Sequence, residues 1–273
     1  MKQSKIIVVT SGKGGVGKTT TTANIGVSLA QKGFKVCVID ADIGLKNLDL
    51  VLGLENRIVY TIIDIVNGNK KVKDTLVKHK TVKNLNLLAS SQVANKNMVE
   101  PEDMVKIVDE LTKMFDYILI DSPAGIERGF SNSIKAAQHA IVVTTPDLTA
   151  ISDADRVIGL LENEGFNDNN ISLIVNRIKP KMVEKKEMLS PDDIKEALAI
   201  NLIGIIPDSE EIIISTNEGK PIALDSSKSV AINFNNIALR ISGEDVPIEE
   251  DIKNNNVDTE GFFSFLKKMI GRR

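Results

Sequence analysis

The chain has one cysteine, two histidines, no tryptophan and only 4% aromatic residues among its 273 positions. A single cysteine excludes an internal disulfide framework and a metal site built on several thiolates. Cys37 lies in the apolar run Lys35-Val36-Cys37-Val38-Ile39, where a small buried core residue is expected. His79 and His139 suggest neither a catalytic triad nor a metal cluster, and both read as structural. No stretch approaches the roughly 18–20 apolar residues that span a bilayer. A secretory pattern is also missing: Lys2 and Lys5 precede a short apolar run that stops at Thr10-Ser11-Gly12. The net charge is −3, so there is no global basic footprint for nucleic acid. The expectation is a soluble, cytoplasmic body. Its 42% hydrophobic and 26% charged residues suffice for one large α/β domain.

Short β-branched runs alternate with longer helical patterns. The runs cover 6–10, 36–40, 85–89, 117–121, 140–144, 172–176 and 202–206. Each is continuously apolar, as strands buried on both faces of a parallel sheet require. Helical patterns cover 18–32, 102–113, 152–164 and 191–199. This order predicts an α/β fold with a doubly wound, mostly parallel sheet and helices on both faces. Ligands of such sheets sit at the carboxyl ends of the strands.

The residues that carry chemistry fall at those ends. Gly12-Lys13-Gly14-Gly15-Val16-Gly17-Lys18-Thr19 fits G-x-x-x-x-G-K-T between a strand and a helix, the context a phosphate loop needs. Its glycines let successive N–H groups converge on phosphate oxygens, and the helix adds the positive end of its dipole. Lys18 is expected on the β- and γ-phosphates and the Thr19 hydroxyl on Mg²⁺, with Thr20 completing the nucleotide-binding loop. The second strand ends in Asp40-Ala41-Asp42, and alternation points both carboxylates to one side. The run Tyr117-Ile118-Leu119-Ile120-Asp121 reads as Walker B, with Asp121 holding Mg²⁺ through water. Ser122-Pro123-Ala124-Gly125 then reads as a switch loop that Gly125 lets pivot. No glutamate follows Asp121 directly, so the expected turnover is slow alone and stimulated by a partner.

With Lys13, the loop becomes K-G-G-x-G-K-T. It resembles the ParA/MinD deviant Walker A family, which also includes the nitrogenase iron protein and arsenite-pump ATPases. That resemblance implies an ATP- and Mg²⁺-dependent ATPase that dimerises with ATP, Lys13 reaching across to the other subunit's nucleotide. It implies that Asp42 positions the hydrolytic water, that Asp40 lies near the metal shell and that Asn47 contacts this switch. Asn176 and Pro207, at the ends of the last two strands, would flank adenine; a structural cap is the alternative for Asn176. The stretches 40–49 and 121–127 and the C-terminal pattern are similar to the division-site-selection members of the family. The segment 152–156 looks like the start of their partner-contacting helix. Those members recruit the septum inhibitor MinC to the membrane, under MinE or another topological regulator. The alternatives are a chromosome or plasmid partition ATPase and a flagellar-placement ATPase. The lysines at 70, 71, 73, 78, 80 and 83 lack interleaved aromatics and read as a solvated face.

The predicted domains are an ATPase body at 1–243, an acidic flexible linker at 244–260 and an amphipathic helix at 261–273. The linker carries seven acids and one lysine. At about 100° per residue, Phe262, Phe263, Phe265, Leu266, Met269 and Ile270 fall within about 160° of arc. Lys267 and Lys268 lie opposite, the pattern of a helix in a membrane interface. A helix docked on the body and a helix that binds in a partner's groove, as calmodulin targets do, are the other readings. The expected site is the inner face of the cell membrane, bound peripherally by an ATP-dependent pair of tails.

Overall fold

The computed structural model describes residues 3–44, 47–91, 98–126 and 128–253. The expected amphipathic segment at 261–273 lies outside them. Among the described residues eight strands form one sheet: β1 (Lys5–Thr10), β2 (Val36–Asp40), β3 (Val77–Lys78), β4 (Leu85–Leu88), β5 (Tyr117–Asp121), β6 (His139–Thr144), β7 (Ile171–Ile178) and β8 (Asn201–Pro207). Their order is β3-β4-β2-β5-β1-β6-β7-β8. Every pairing is parallel except that of β3, a two-residue strand antiparallel to β4. Sequence periodicity misses β3 because two residues carry no pattern.

The continuous apolar runs fill two cores. In β1, Ile6 and Val8 join the core on one face, and Ile7 and Val9 the core on the other. Helix Lys18–Gln31 lies against the second face, where a Cβ at Gly26 would come within 2.7 Å of Val38. Helix Ser229–Ser242 covers the same face and packs on both helix Lys18–Gln31 and β8. Helix Leu148–Asn163 belongs to the opposite core through Ala154, Val157, Ile158 and Leu161. It starts four residues before the expected boundary because Asp147 caps it, its carboxylate accepting the Ala150 N–H at 3.0 Å. Periodicity alone does not see a cap that precedes the first buried residue.

Cys37 is fully buried in β2, and burial pushes its thiol well above the ordinary range. A thiol reagent at pH 8 is therefore expected to leave Cys37 unmodified until denaturant unfolds the sheet. Labelling that preceded the loss of circular dichroism would instead reveal local opening of β2.

The acidic stretch after the body begins differently from expectation. Within 244–253, the carbonyls of Val246 and Pro247 and the buried Asp251 and Ile252 tie the chain to the domain, with a short helix at Glu250–Lys253. Asp251 has no exposed surface, and Arg240 meets it with two hydrogen bonds of 2.8 and 3.0 Å. The same guanidinium donates to the carbonyls of Val246, Pro247 and Ile203. Asp251 also accepts from Asn236 and from the N–H of Ile205 in β8. Composition read this stretch as linker because acids rarely bury; here a planar five-donor cation makes the burial possible.

Candidate nucleotide site

Strand β1 ends at the point where the chain reverses direction across the sheet: β5 lies on one side of it and β6 on the other. That crevice is where doubly wound sheets bind ligands. The loop 11–17 fills it and leads into helix Lys18–Gln31. Gly17 sits at φ +94°, and the helix has no side-chain cap and no acid in its first turn. Its free N–H groups are thus left for an anion. Two glycines are required by contact. A Cβ on Gly12 would overlap the Asp153 carbonyl, and one on Gly17 would overlap the Asn176 amide.

The second layer of the site comes from distant strands. Asp40 and Asp121 are register partners at the ends of β2 and β5. Asp121 accepts from the Thr19 hydroxyl at 2.7 Å, from the Thr22 hydroxyl at 3.1 Å and from Lys18 Nζ at 3.4 Å. The ion pair is buried, with side-chain exposures of 8% and 2%. Asp40 accepts the N–H groups of Asp42, Asn47 and Leu48. Burial and then the neighbouring Asp121 nonetheless push its carboxyl up to about 7. Two buried carboxylates of like charge beside a hydroxyl form an all-oxygen donor set, which suits Mg²⁺. Among the described residues no cluster of three or more His, Cys, Asp or Glu side chains forms a cage. A cation here would share its ligands with phosphate, the usual arrangement for Mg²⁺.

Strand β2 stops at Asp40, so alternation does not extend to Asp42 as expected. Asp42 instead lies just before the turn at 43–44, its N–H folded back on Asp40 and its carbonyl accepting the Ser90 hydroxyl at 3.2 Å. Asn47 joins the switch through its N–H to Asp40 at 3.2 Å. In the second switch, the Gly125 N–H donates to the Ser11 carbonyl at 3.2 Å, tying it to the phosphate loop.

Lys13 contacts its own chain: its Nζ is 3.2 Å from Asp147 Oδ1 and 2.8 Å from the Thr149 hydroxyl. Burial opposes ionisation of Asp147, but hydrogen bonds from Thr145, Thr149, the Ala150 N–H and Lys13 outweigh it and hold the carboxyl well below its usual range. Lys13, Lys18, Thr19 and Gly15–Gly17 line a cleft of about 870 Å³. Thr20, Asn176 and Pro207 line a separate cavity of about 70 Å³ behind the loop. Asn176 is occupied there as a strut, its Nδ2 donating to the Val16 carbonyl at 2.7 Å and its Oδ1 accepting the Arg177 N–H at 2.9 Å. Asn176→Ala removes one buried hydrogen bond of about 1 kcal/mol from the loop. Nucleotide affinity is expected to fall roughly fivefold, and the melting temperature of the nucleotide-free protein by about 2–4 °C; fluorescent-nucleotide titration and a melting curve check this.

Sequence reasoning missed Thr22 and Asp147. Thr22 stands four residues after Lys18, on the same helix face, which was the available signal. Asp147 follows the end of β6, the place where such sheets carry function. The lysines at 71, 73, 78, 80 and 83 are exposed, and Lys70 lies 4.1 Å from the Tyr60 ring centroid.

A backbone phosphate loop, a buried Lys–Asp–Thr set and a doubly wound sheet define a P-loop nucleotide-binding domain. The CobQ/CobB/MinD/ParA nucleotide binding domain matches residues 7–222. The septum site-determining protein MinD of Thermotoga maritima is 60% identical over 267 residues, 96% of this chain and 98% of the relative. Among solved structures, MinD in the MinC:MinD cell division complex of Aquifex aeolicus is 47% identical with a TM-score of 0.83, covering 89% of this chain and 98% of that one. MinD of Pyrococcus horikoshii, solved with Mg-ADP, is 29% identical with a TM-score of 0.79, covering 88% and 96%. The chain belongs to the MinD family of cell-division ATPases.

Proposed function

We propose that this chain binds ATP and Mg²⁺, dimerises around the nucleotide, and carries a MinC-type septum inhibitor to the inner face of the cell membrane. The observation that carries the reading is the placement of Lys18, Thr19 and Asp121 at one buried point beside an uncapped helix. It is supported by the solved MinC:MinD complex of Aquifex aeolicus and the Mg-ADP complex from Pyrococcus horikoshii.

In this reading Lys18 stabilises charge on the transferring phosphoryl group. Thr19 and Asp121 hold the cation, with Asp40 beside them. Mg²⁺, when bound, neutralises charge on the β- and γ-phosphate oxygens. Asp42 orients the attacking water. Lys13 leaves Asp147 and Thr149 to reach the partner subunit's nucleotide, and this exchange, with no glutamate after Asp121, keeps turnover slow until a regulator such as MinE intervenes. Hydrolysis returns Lys13 to its own chain and separates the subunits.

The segment 261–273 supplies the lipid contact. One such segment binds weakly, and two on a dimer raise avidity by roughly 10²–10⁴. Liposome co-sedimentation with ADP or a non-hydrolysable ATP analogue, with and without residues 261–273, tests the switch. The ATP form of the full chain alone is expected to sediment. Equal binding in both nucleotide states would refute it. A salt-sensitive DNA shift without lipid binding would favour the partition alternative.

A further inference from the structure

Helix Glu210–Asn217 is unusual for an element of this body: none of its residues is buried. Its centre is Ile212-Ile213-Ile214, and Ile213 and Ile214 are 60% and 57% exposed. Two adjacent isoleucines left in water on a domain with two full cores mark a surface that something else covers. The segment 208–218 around them carries Asp208, Glu210, Glu211 and Glu218 and no lysine or arginine. Three of these acids already meet lysines from elsewhere on the surface: Lys179, Lys228 and Lys220.

The end of the described chain lies close by. Asp251 is bonded to the Ile205 N–H in β8, and the isoleucine helix begins five residues after Ile205. That stretch spans at most about 18 Å. Residues 254–261 reach about 25–30 Å when extended, so residues 262–270 can meet Ile213 and Ile214 without disturbing the Arg240–Asp251 clamp. The segment 261–273 supplies an apolar surface to cover them: six large apolar residues and no acid.

We propose that, away from lipid, the apolar face of residues 262–270 covers Ile213 and Ile214 of the same chain, with the basic face turned to solvent. The surface is then a storage site that competes with the membrane for the same apolar residues. This rests on the lipid-binding reading above for its purpose, though not for its test. Helix Glu210–Asn217 also walls the cavity behind the phosphate loop through Ile212 and Ile213, so the covered and uncovered states differ beside the nucleotide.

The test uses the full chain in lipid-free buffer. Ile214→Cys and Phe263→Cys are introduced together with Cys37→Ser, and disulfide formation is followed under mild oxidation. An intramolecular disulfide is expected to form roughly tenfold faster than in a control pairing Phe263→Cys with Asp109→Cys, by the difference in effective concentration. Hydrogen exchange of 210–217 is expected to speed up severalfold in Phe263→Glu/Phe265→Glu. With vesicles of 70% phosphatidylcholine and 30% phosphatidylglycerol, Ile213→Glu/Ile214→Glu is expected to bind at severalfold lower lipid than the parent protein. Equal disulfide rates in the two pairs together with unchanged exchange would overturn the proposal, as would a covalent dimer, which assigns the surface to a second copy. If neither form binds vesicles, the lipid reading fails, while the disulfide and exchange results still decide the docking.

Discussion

Lys18→Ala is expected to reduce ATP turnover by a factor of roughly 10²–10³ or more, the usual loss when a preorganised charge on a developing oxyanion is removed. The side chain is nearly buried and its Nζ lies 3.4 Å from Asp121, so it is held in place before nucleotide arrives. Removing it also leaves Asp121 without the cation that offsets its burial. Thr19 and Thr22 still donate to that carboxylate, so the fold should survive and the effect should fall on activity. Phosphate release under saturating lipid and partner is the measurement. Residual turnover within tenfold of the parent protein would show that the loop N–H groups alone carry the charge. Thr19→Ala, which removes one donor of the cation set, is expected to act through Mg²⁺: its lost activity should be partly recovered at high Mg²⁺, whereas that of Lys18→Ala should not.

Arg240→Ala is expected to lower unfolding stability by about 3–5 kcal/mol, the range for breaking a buried ion pair by removing one partner. Asp251 has no exposed surface, so its carboxylate stays in a low-dielectric site, where Asn236 and the Ile205 N–H still donate to it but carry no charge. Three backbone carbonyls lose their donor as well. Urea unfolding followed by circular dichroism measures the loss. Replacing both partners at once, Arg240→Met with Asp251→Leu, should recover much of it, because two apolar groups leave no charge to desolvate. A loss below about 1 kcal/mol in the single variant would place the pair among solvent-screened ones.

Much of the fold was legible in the sequence. Seven of the eight strands announced themselves as apolar runs, since a strand buried on both faces needs no alternation. The strand–loop–helix frame around the glycine-rich loop was legible, because all three lie within about twenty-five consecutive residues. The helix Leu148–Asn163 was found and its start misplaced, as a cap leaves no periodic trace. Within the stretch expected as linker at 244–260, Asp251 is bonded to Arg240, a contact composition cannot register because the arginine lies eleven residues away.

What the sequence alone determined is local: which residues can cradle phosphate, which runs become strands, and which family the chain resembles. Only the tertiary structure decided which distant groups meet. Lys18 and Thr19 find Asp121 across more than a hundred residues, and Asn176 finds Val16 across 160. Lys13 finds Asp147 and Thr149 across 134 and 136. The reason is that strand order, not chain order, sets these neighbours. Placing β1 between β5 and β6 brings the loop, the carboxylate and the lysine's resting partner to one crevice, and no local pattern encodes that placement.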